Sequence, residues 1–188
     1  MSTRILLRDV RLAYGHGLWT KSKPPKADAS AKEKYRIALI IGPKHPQLAE
    51  LRKIIDTEME AKFGAKWKAV LKVAEAQQKS CLRNGDDKEG EGFLGNFYVS
   101  ANSATRPSVF NHDRSPVTAD DGIVYSGCYV NASLEIYAFD NVSKGNSAGF
   151  RGVQFLRKGD AFGGGAPADE SEFDEIGAPD EDEVDLTA

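Results

Sequence analysis

Tyrosines and amides recur in the second half of the chain at the spacing of a β-strand. From residue 124 to residue 138 the even positions are small or apolar, whereas the odd positions include Tyr125, Tyr129, Asn131 and Tyr137. Because side chains alternate across a strand, this pattern predicts one apolar face and one face of aromatic and hydrogen-bonding groups. A face of the second kind suits a flat ligand better than a dry core.

Basic residues accompany these aromatic residues, and the two together are typical of a surface that binds single-stranded nucleic acid. A basic groove tracks the phosphates, and each base that stacks on an aromatic ring contributes about 1 to 3 kcal/mol. Lysines also fill the polar loop over residues 20–34. The predicted DNA-binding residues are Trp19, Arg83, Tyr98, Asn102, Arg106, Tyr125, Tyr129, Asn131, Tyr137, Arg151 and Arg157. The alternative is that the tyrosines are ordinary half-buried strand residues and the cations an ordinary solvated surface.

Other chemistries have weaker support in the sequence. The glycine cluster at residues 163–165 lacks the lysine of a phosphate-binding loop. The cysteines and histidines are too scattered for a zinc site, and Cys128 lies among valines as a small hydrophobe. Asp86, Asp87 and Glu89 could hold Mg²⁺ in a nuclease, which is the alternative function, although a solvated glycine-rich turn is favoured. We therefore expect no catalytic residue, no metal and no cofactor.

The charge of the chain is unevenly distributed. Residues 169–188 contain ten acidic and no basic residues, which leaves 18 acidic and 25 basic residues, a net charge of +7, in residues 1–168. An acidic tail on a basic body could cover a phosphate-binding groove or recruit replication or recombination proteins. It could also be a solubilising end, or mark an assembly protein with no nucleic-acid role. The predicted partner-binding residues are Phe173, Asp182, Glu183, Asp185 and Leu186.

Length and composition favour one folded domain with a tail. The chain has 188 residues, 40% of them hydrophobic, and only two cysteines, so we expect a cytoplasmic protein with reduced thiols. No apolar run has the length of a membrane span. The oligomeric state does not follow from the sequence.

The predicted elements are several strands and one helical insertion. Strands are expected over residues 3–14, 35–41, 93–102, 124–139 and 149–158, with a loop over residues 79–92. A helix begins at Pro46 and ends at Gly64, and a shorter one follows around Trp67. We expect a mainly β fold, a five-stranded OB barrel, over residues 1–160, with the insertion at about 46–78. We expect the chain to lose regular structure after Lys158, and we expect residues 161–188 to be a flexible glycine-rich hinge and a disordered acidic tail.

Several segments resemble the bacteriophage single-stranded DNA-binding proteins with an OB fold. They are residues 35–44 (YRIALIIGPK), 82–86 (LRNGD), 96–102 (NFYVSAN) with 106–107 (RP), and 125–133 (YSGCYVNAS) with 152–155 (GVQF). The resemblance implies a viral protein that coats exposed single strands during replication or recombination, with a tail that recruits partners. Asn84 stands where the family often carries an acid.

Overall fold

Five strands close into a barrel, as predicted. The computed structural model describes residues 1–163, 171 and 173–176. The barrel strands are β1 (Thr3–Ala13), β2 (Tyr35–Ile41), β4 (Phe97–Ser103), β6 (Tyr129–Asp140) and β7 (Lys144–Arg157). Antiparallel pairs join β1 to β2 and β6, β2 to β4, and β6 to β7, and the parallel pair of β4 with β7 closes the ring. Two short strands, β3 (Leu82–Asn84) and β5 (Ser108–Phe110), extend the sheet along β4 and β7.

The barrel core follows from strand alternation. On β6 the side chains of Val130, Ala132, Leu134 and Ile136 are fully buried, and the residues between them are half-buried. This confirms the predicted apolar face. The strand begins at Tyr129, however, and the expected start at residue 124 is wrong, because Gly127 has a positive φ of 108° that interrupts the predicted run.

The partner strand is longer than predicted. It begins at Lys144, which pairs with Asp140, and the connecting turn therefore spans only residues 141–143. Gly145 and Asn146 are buried within the paired region. The Asn146 side-chain oxygen accepts hydrogen bonds from the Cys81 amide at 2.9 Å and the Ser80 hydroxyl at 3.1 Å. This side chain ties β7 to the segment that precedes β3.

The helical insertion packs on the barrel as two consecutive helices. Helix α1 (Leu48–Phe63) buries Leu51, Ile55 and Met59 at the spacing of one helical face, and α2 (Trp67–Ala76) follows after one 3₁₀ turn at Gly64–Lys66. Gly64 ends α1 with a φ of 57°, which glycine adopts at little cost. In the part of the chain that the structure describes, no helix has both the length and the apolar character that a membrane crossing needs.

The segment over residues 79–92 is more ordered than a solvated loop. The prediction of a wholly exposed loop is wrong, because β3 pairs with β4 and Cys81 and Gly85 are buried. The Gly85 amide donates to the Asn96 carbonyl at 2.8 Å. The pairing of β3 with β4 and this hydrogen bond hold residues 85–96 as a compact loop against the outer face of the barrel.

The chain remains attached to the barrel past the end of β7. The Phe162 amide donates to the Ser126 carbonyl at 2.9 Å, and its ring packs on a small cluster with Ile40, Phe93 and Tyr98. The expectation that structure is lost directly after Lys158 is therefore wrong. The division of the chain at residue 160 stays a prediction. The predicted disordered tail, except for residues 171 and 173–176, lies outside the described residues.

Candidate nucleic-acid interface

A groove crosses the outer face of β2 and β4 and is bordered by the loops over residues 14–34 and 85–96. Its volume is about 340 Å³. We call it the basic groove, and it is lined by Tyr14, His16, Ser22, Lys23, Pro24, Pro25, Arg36, Ile37, Ala38, Arg83, Lys88, Tyr98 and Ser100. In OB folds, the face of the second and third barrel strands and the loop between the first two strands commonly bind oligonucleotides.

Four cationic side chains line the basic groove: Lys23, Arg36, Arg83 and Lys88. Among the described residues, none of the four lies within 4.0 Å of a carboxylate. Arg36 Nε donates to the Ser22 carbonyl at 3.1 Å, which fixes the loop before β2. Burial lowers the pKa of Arg36, but an arginine keeps its proton in proteins. The groove therefore carries a positive charge that is not neutralised within the described part of the chain.

The aromatic component of the basic groove is Tyr14. The residue is 41% exposed, and its backbone is left-handed, with φ 57° and ψ 43°. The Lys88 ammonium lies 5.2 Å from the Tyr14 ring centroid and 5.6 Å from those of Phe93 and Tyr98. An exposed aromatic side chain beside cations that have no carboxylate partner among the described residues has the two properties of a single-strand binding surface.

Two of the predicted residues, Arg83 and Tyr98, line the basic groove, but Tyr98 does not offer a free ring. It is only 5% exposed, and Phe93 packs edge-on against it with ring centroids 5.2 Å apart. The expected exposed position of Tyr98 is therefore wrong, because the loop over residues 85–96 covers it. The Arg83 guanidinium is oriented by a 2.9 Å bond from Nε to the Ser80 carbonyl.

Three further predicted residues lie on or near the strands that carry the basic groove. Asn102 is on β4, where its side-chain oxygen accepts from Lys34 Nζ at 3.4 Å and its nitrogen donates to Ser147 Oγ at 3.4 Å. Arg106 is exposed in the loop after β4. Trp19 is half-buried and packs against the barrel core, which leaves only part of its ring for a ligand.

The remaining predicted residues belong to β6, β7 and the loop before β6. Asn131 and Arg151 line a second groove of about 460 Å³, together with Leu6, Phe110 and Arg114. The second groove shares no lining residue with the basic groove. The sequence predicted one continuous base-binding surface that joins Tyr98 and Asn102 to the outer face of β6. The two separate grooves do not form such a surface.

Tyr125 is not on a strand and has a structural contact. Its hydroxyl donates to the Gly159 carbonyl at 2.8 Å and accepts from the Gly159 amide at 3.2 Å. These bonds hold the chain where it leaves β7. Tyr137 is half-buried on β6, opposite Ser147 of β7.

Tyr129 already carries a stacked partner. The Arg157 guanidinium lies 3.6 Å from its ring centroid, and Arg157 Nη2 is 2.9 Å from Asp9 Oδ1. Asp9 occupies the bulge of β1, with φ 53°. The Arg157 side chain thus covers the Tyr129 ring, and both residues contribute to the packing of the barrel surface.

One carboxylate of the alternative nuclease hypothesis, that of Asp86, has a local structural role. Asp86 Oδ1 accepts from the Gly95 amide at 2.7 Å and so closes the loop over residues 85–96. Among the described residues, no group of three or more histidine, cysteine or acidic side chains could hold a metal ion.

Tyr14, His16, Arg36 and Lys88 were missed by the sequence reasoning. Tyr14 directly follows β1 and precedes a Gly-His-Gly turn. This position before a turn is the one sequence signal that predicts an exposed ring at the end of β1. Arg36 is half-buried near the start of β2, directly before five consecutive buried residues. Lys88 lies in the loop that was expected to be solvated, and only the folding of that loop brings it over the rings.

The closed barrel and the basic groove together define an OB-type single-stranded DNA-binding protein. A family model described as Enterobacter phage Enc34, ssDNA-binding protein, matches residues 3–185. The chain belongs to this phage single-stranded DNA-binding protein family, which confirms the resemblance inferred from the sequence. The family and the similar solved structures are DNA-binding proteins and not enzymes.

The similar proteins extend over nearly the whole chain. A protein called p50 from Acyrthosiphon pisum secondary endosymbiont phage 1 is 40% identical over 187 residues, which is 96% of this chain and 98% of that protein. The single-stranded DNA-binding protein from bacteriophage Enc34 is 24% identical with a TM-score of 0.66, and the match covers 90% of this chain and 88% of the other. The same Enc34 protein in complex with ssDNA has a TM-score of 0.62 at 24% identity, with coverage of 85% and 89%. These structures show the same fold.

Proposed function

We propose that this protein coats single-stranded phage DNA during replication or recombination, in the host cytoplasm, and that the strand runs along the basic groove. The observation that carries this proposal is the group of four cations beside the exposed Tyr14 side chain, none of which has a carboxylate within 4.0 Å in the described part of the chain. The ssDNA complex of the similar Enc34 protein supports the class of ligand. Electrostatic capture comes first, and stacking on the aromatic ring follows.

The salt dependence of DNA binding tests whether the DNA strand runs along the basic groove. Each phosphate that a cation neutralises contributes about 0.7 to the slope of log affinity against log salt for single strands. The double variant Lys23→Gln with Lys88→Gln should therefore lower the slope by about 1.4. Fluorescence anisotropy with a labelled oligonucleotide at several salt concentrations measures it.

The matched control neutralises two cations of the second groove, Arg114→Gln with Arg151→Gln. Both side chains are exposed, so neither change leaves a buried charge. We expect the control to keep the slope of the original protein. If instead only the control has a lower slope, the DNA strand lies on the outer face of β6 and β7. Asn131, Arg151 and Arg157 were predicted to bind DNA there.

The acidic tail is proposed to regulate access to DNA and to recruit replication or recombination proteins. Charge complementarity supports this role, because residues 1–168 carry a net charge of +7 and residues 169–188 contain ten acidic and no basic residues. Phe173 and Ile176 are 71% and 90% exposed. Asp182, Glu183, Asp185 and Leu186 lie outside the described residues.

Truncation after residue 168 tests the tail. We expect DNA binding to tighten at low salt and partner binding to weaken. A tail in which each acid is replaced by its amide keeps the length and removes the charge, so it should behave like the truncation toward DNA. If both variants bind DNA as tightly as the full chain, the tail does not regulate access.

A further inference from the structure

A cleft adjoins the basic groove on the other side of Tyr14. Its volume is about 380 Å³. Tyr14 and His16 line both the cleft and the basic groove. The cleft also contacts Ala13, Phe93, Ser126 and Phe162. The cleft therefore opens beside the proposed path of the DNA strand.

The chemistry of the cleft differs from that of the basic groove. Ala13 and Phe93 are each only 2% exposed and form an apolar surface, and the rings of Tyr14, His16 and Phe162 surround it. Among the described residues, no lysine or arginine lines the cleft, and Glu91 is its one acid. Phosphates have no partner here, whereas the flat and uncharged part of a nucleotide does. We propose that this cleft is a subsite for one unpaired nucleobase, which stacks on Tyr14 or Phe162 while its phosphates stay in the basic groove.

Ser126 anchors both walls of the cleft. Its hydroxyl accepts a hydrogen bond from the Gly15 amide at 2.8 Å, next to Tyr14. Its carbonyl accepts from the Phe162 amide at 2.9 Å. The Arg11 guanidinium, 4.3 Å from the Phe162 ring centroid, holds that ring further. Because the backbone at both walls is fixed before a ligand arrives, the subsite loses less conformational freedom when a base enters.

The left-handed backbone of Tyr14 agrees with a functional position. A non-glycine residue in this conformation is strained, and such strain is concentrated at functional sites. The proposal rests on the proposed function, since the cleft is reached from the basic groove.

Photocrosslinking locates the base directly. Oligonucleotides that carry 5-iodo-2′-deoxyuridine, irradiated with the full-length protein, form covalent adducts with aromatic side chains in contact with the modified base. Mass spectrometry should place adducts on Tyr14, His16 or Phe162. Adducts confined to Phe110 of the second groove, or to Trp19, would overturn the subsite.

Affinity measurements on Phe162→Leu and Phe162→Ala give the second test. Leucine keeps apolar packing against Ile40 and removes the ring, so thermal stability should be kept while affinity for ssDNA falls about 5- to 150-fold. The salt slope should not change, because no cation is lost. Phe110→Leu is the matched control and should bind as the original protein does.

The outcomes separate the subsite from the proposed function. If the Lys23 and Lys88 double variant loses slope, but Phe162→Leu keeps full affinity and no adduct forms on Tyr14, His16 or Phe162, the DNA strand uses the basic groove and the subsite is wrong. If the double variant keeps its slope and affinity, the proposed path fails and the subsite with it. Loss of affinity in Phe162→Leu with an unchanged slope and an unchanged melting temperature supports the subsite.

Discussion

The strain at Tyr14 predicts an inversion of the usual stability order of alanine and glycine. In an ordinary strand, glycine is less stable than alanine by about 0.5 to 1 kcal/mol. At Tyr14, with φ 57° and ψ 43°, any residue with a Cβ costs about 1 to 2 kcal/mol in the left-handed region. Tyr14→Ala keeps this cost and Tyr14→Gly removes it. We therefore expect the glycine variant to be more stable than the alanine variant by roughly 1 kcal/mol.

Both variants remove the ring and should lose ssDNA affinity equally. The stacking of one base contributes about 1 to 3 kcal/mol, so each variant should bind about 5- to 150-fold more weakly than the original protein. Urea denaturation gives the free energy of unfolding, and anisotropy with a labelled oligonucleotide gives the affinity. The difference in stability between the two variants should not appear in their affinities.

Ala13→Gly is the matched control for the backbone effect. Ala13 is the last residue of β1 and is not among the residues with positive φ, so glycine should be destabilising there. If Tyr14→Gly is less stable than Tyr14→Ala, the left-handed strain is absent. If both variants bind ssDNA as the original protein does, Tyr14 is not a stacking residue, whatever their stabilities.

Other substitutions and a labelling experiment test the core. Leu134→Ala removes a fully buried side chain from β6 and should cost about 3 to 5 kcal/mol in urea denaturation, while the folded fraction keeps its ssDNA affinity; a loss below 1 kcal/mol would contradict the barrel packing. Burial raises the pKa of Cys81 to about 12 and also raises that of Cys128, so neither should react with iodoacetamide at mildly alkaline pH until urea unfolds the chain, and rapid labelling of the native protein would refute this. Gly17→Ala would push a methyl group into the Arg36 carbonyl and should lower the melting temperature and detach the loop that borders the basic groove, whereas an unchanged melting temperature would show that this close contact is absent.

The sequence predicted the barrel well because strand alternation is a local property. Residues 35–41 form β2 as expected, and the helical spacing of Leu51, Ile55 and Met59 is the buried face of α1. Alternation shows which residues share a face of one strand. It does not show which part of the barrel surface that face becomes, or what packs over it.

The candidate site was harder to predict for this reason. Tyr98 alternates with buried residues and should be exposed, yet Phe93 packs on it from a loop of the same chain. Tyr129 is on the expected outer face, but Arg157 covers its ring from the neighbouring strand. The cations of the basic groove come from β2, β3 and two loops. Such a set is visible only when the fold brings distant segments together.

The net charge of +7 on residues 1–168 overstates the number of cations that the basic groove offers to DNA. Arg11 stacks on Phe162, and Arg157 stacks on Tyr129 and pairs with Asp9. Four cations line the basic groove, and at about 0.7 per phosphate they give a salt slope of about 3, whereas seven would give about 5. Because the slope depends on phosphate contacts and not on overall charge, a value near 3 is the one expected for a strand confined to the basic groove. A value near 5 would require a second contact surface, and the exposed cations of the second groove are the nearest candidates for it.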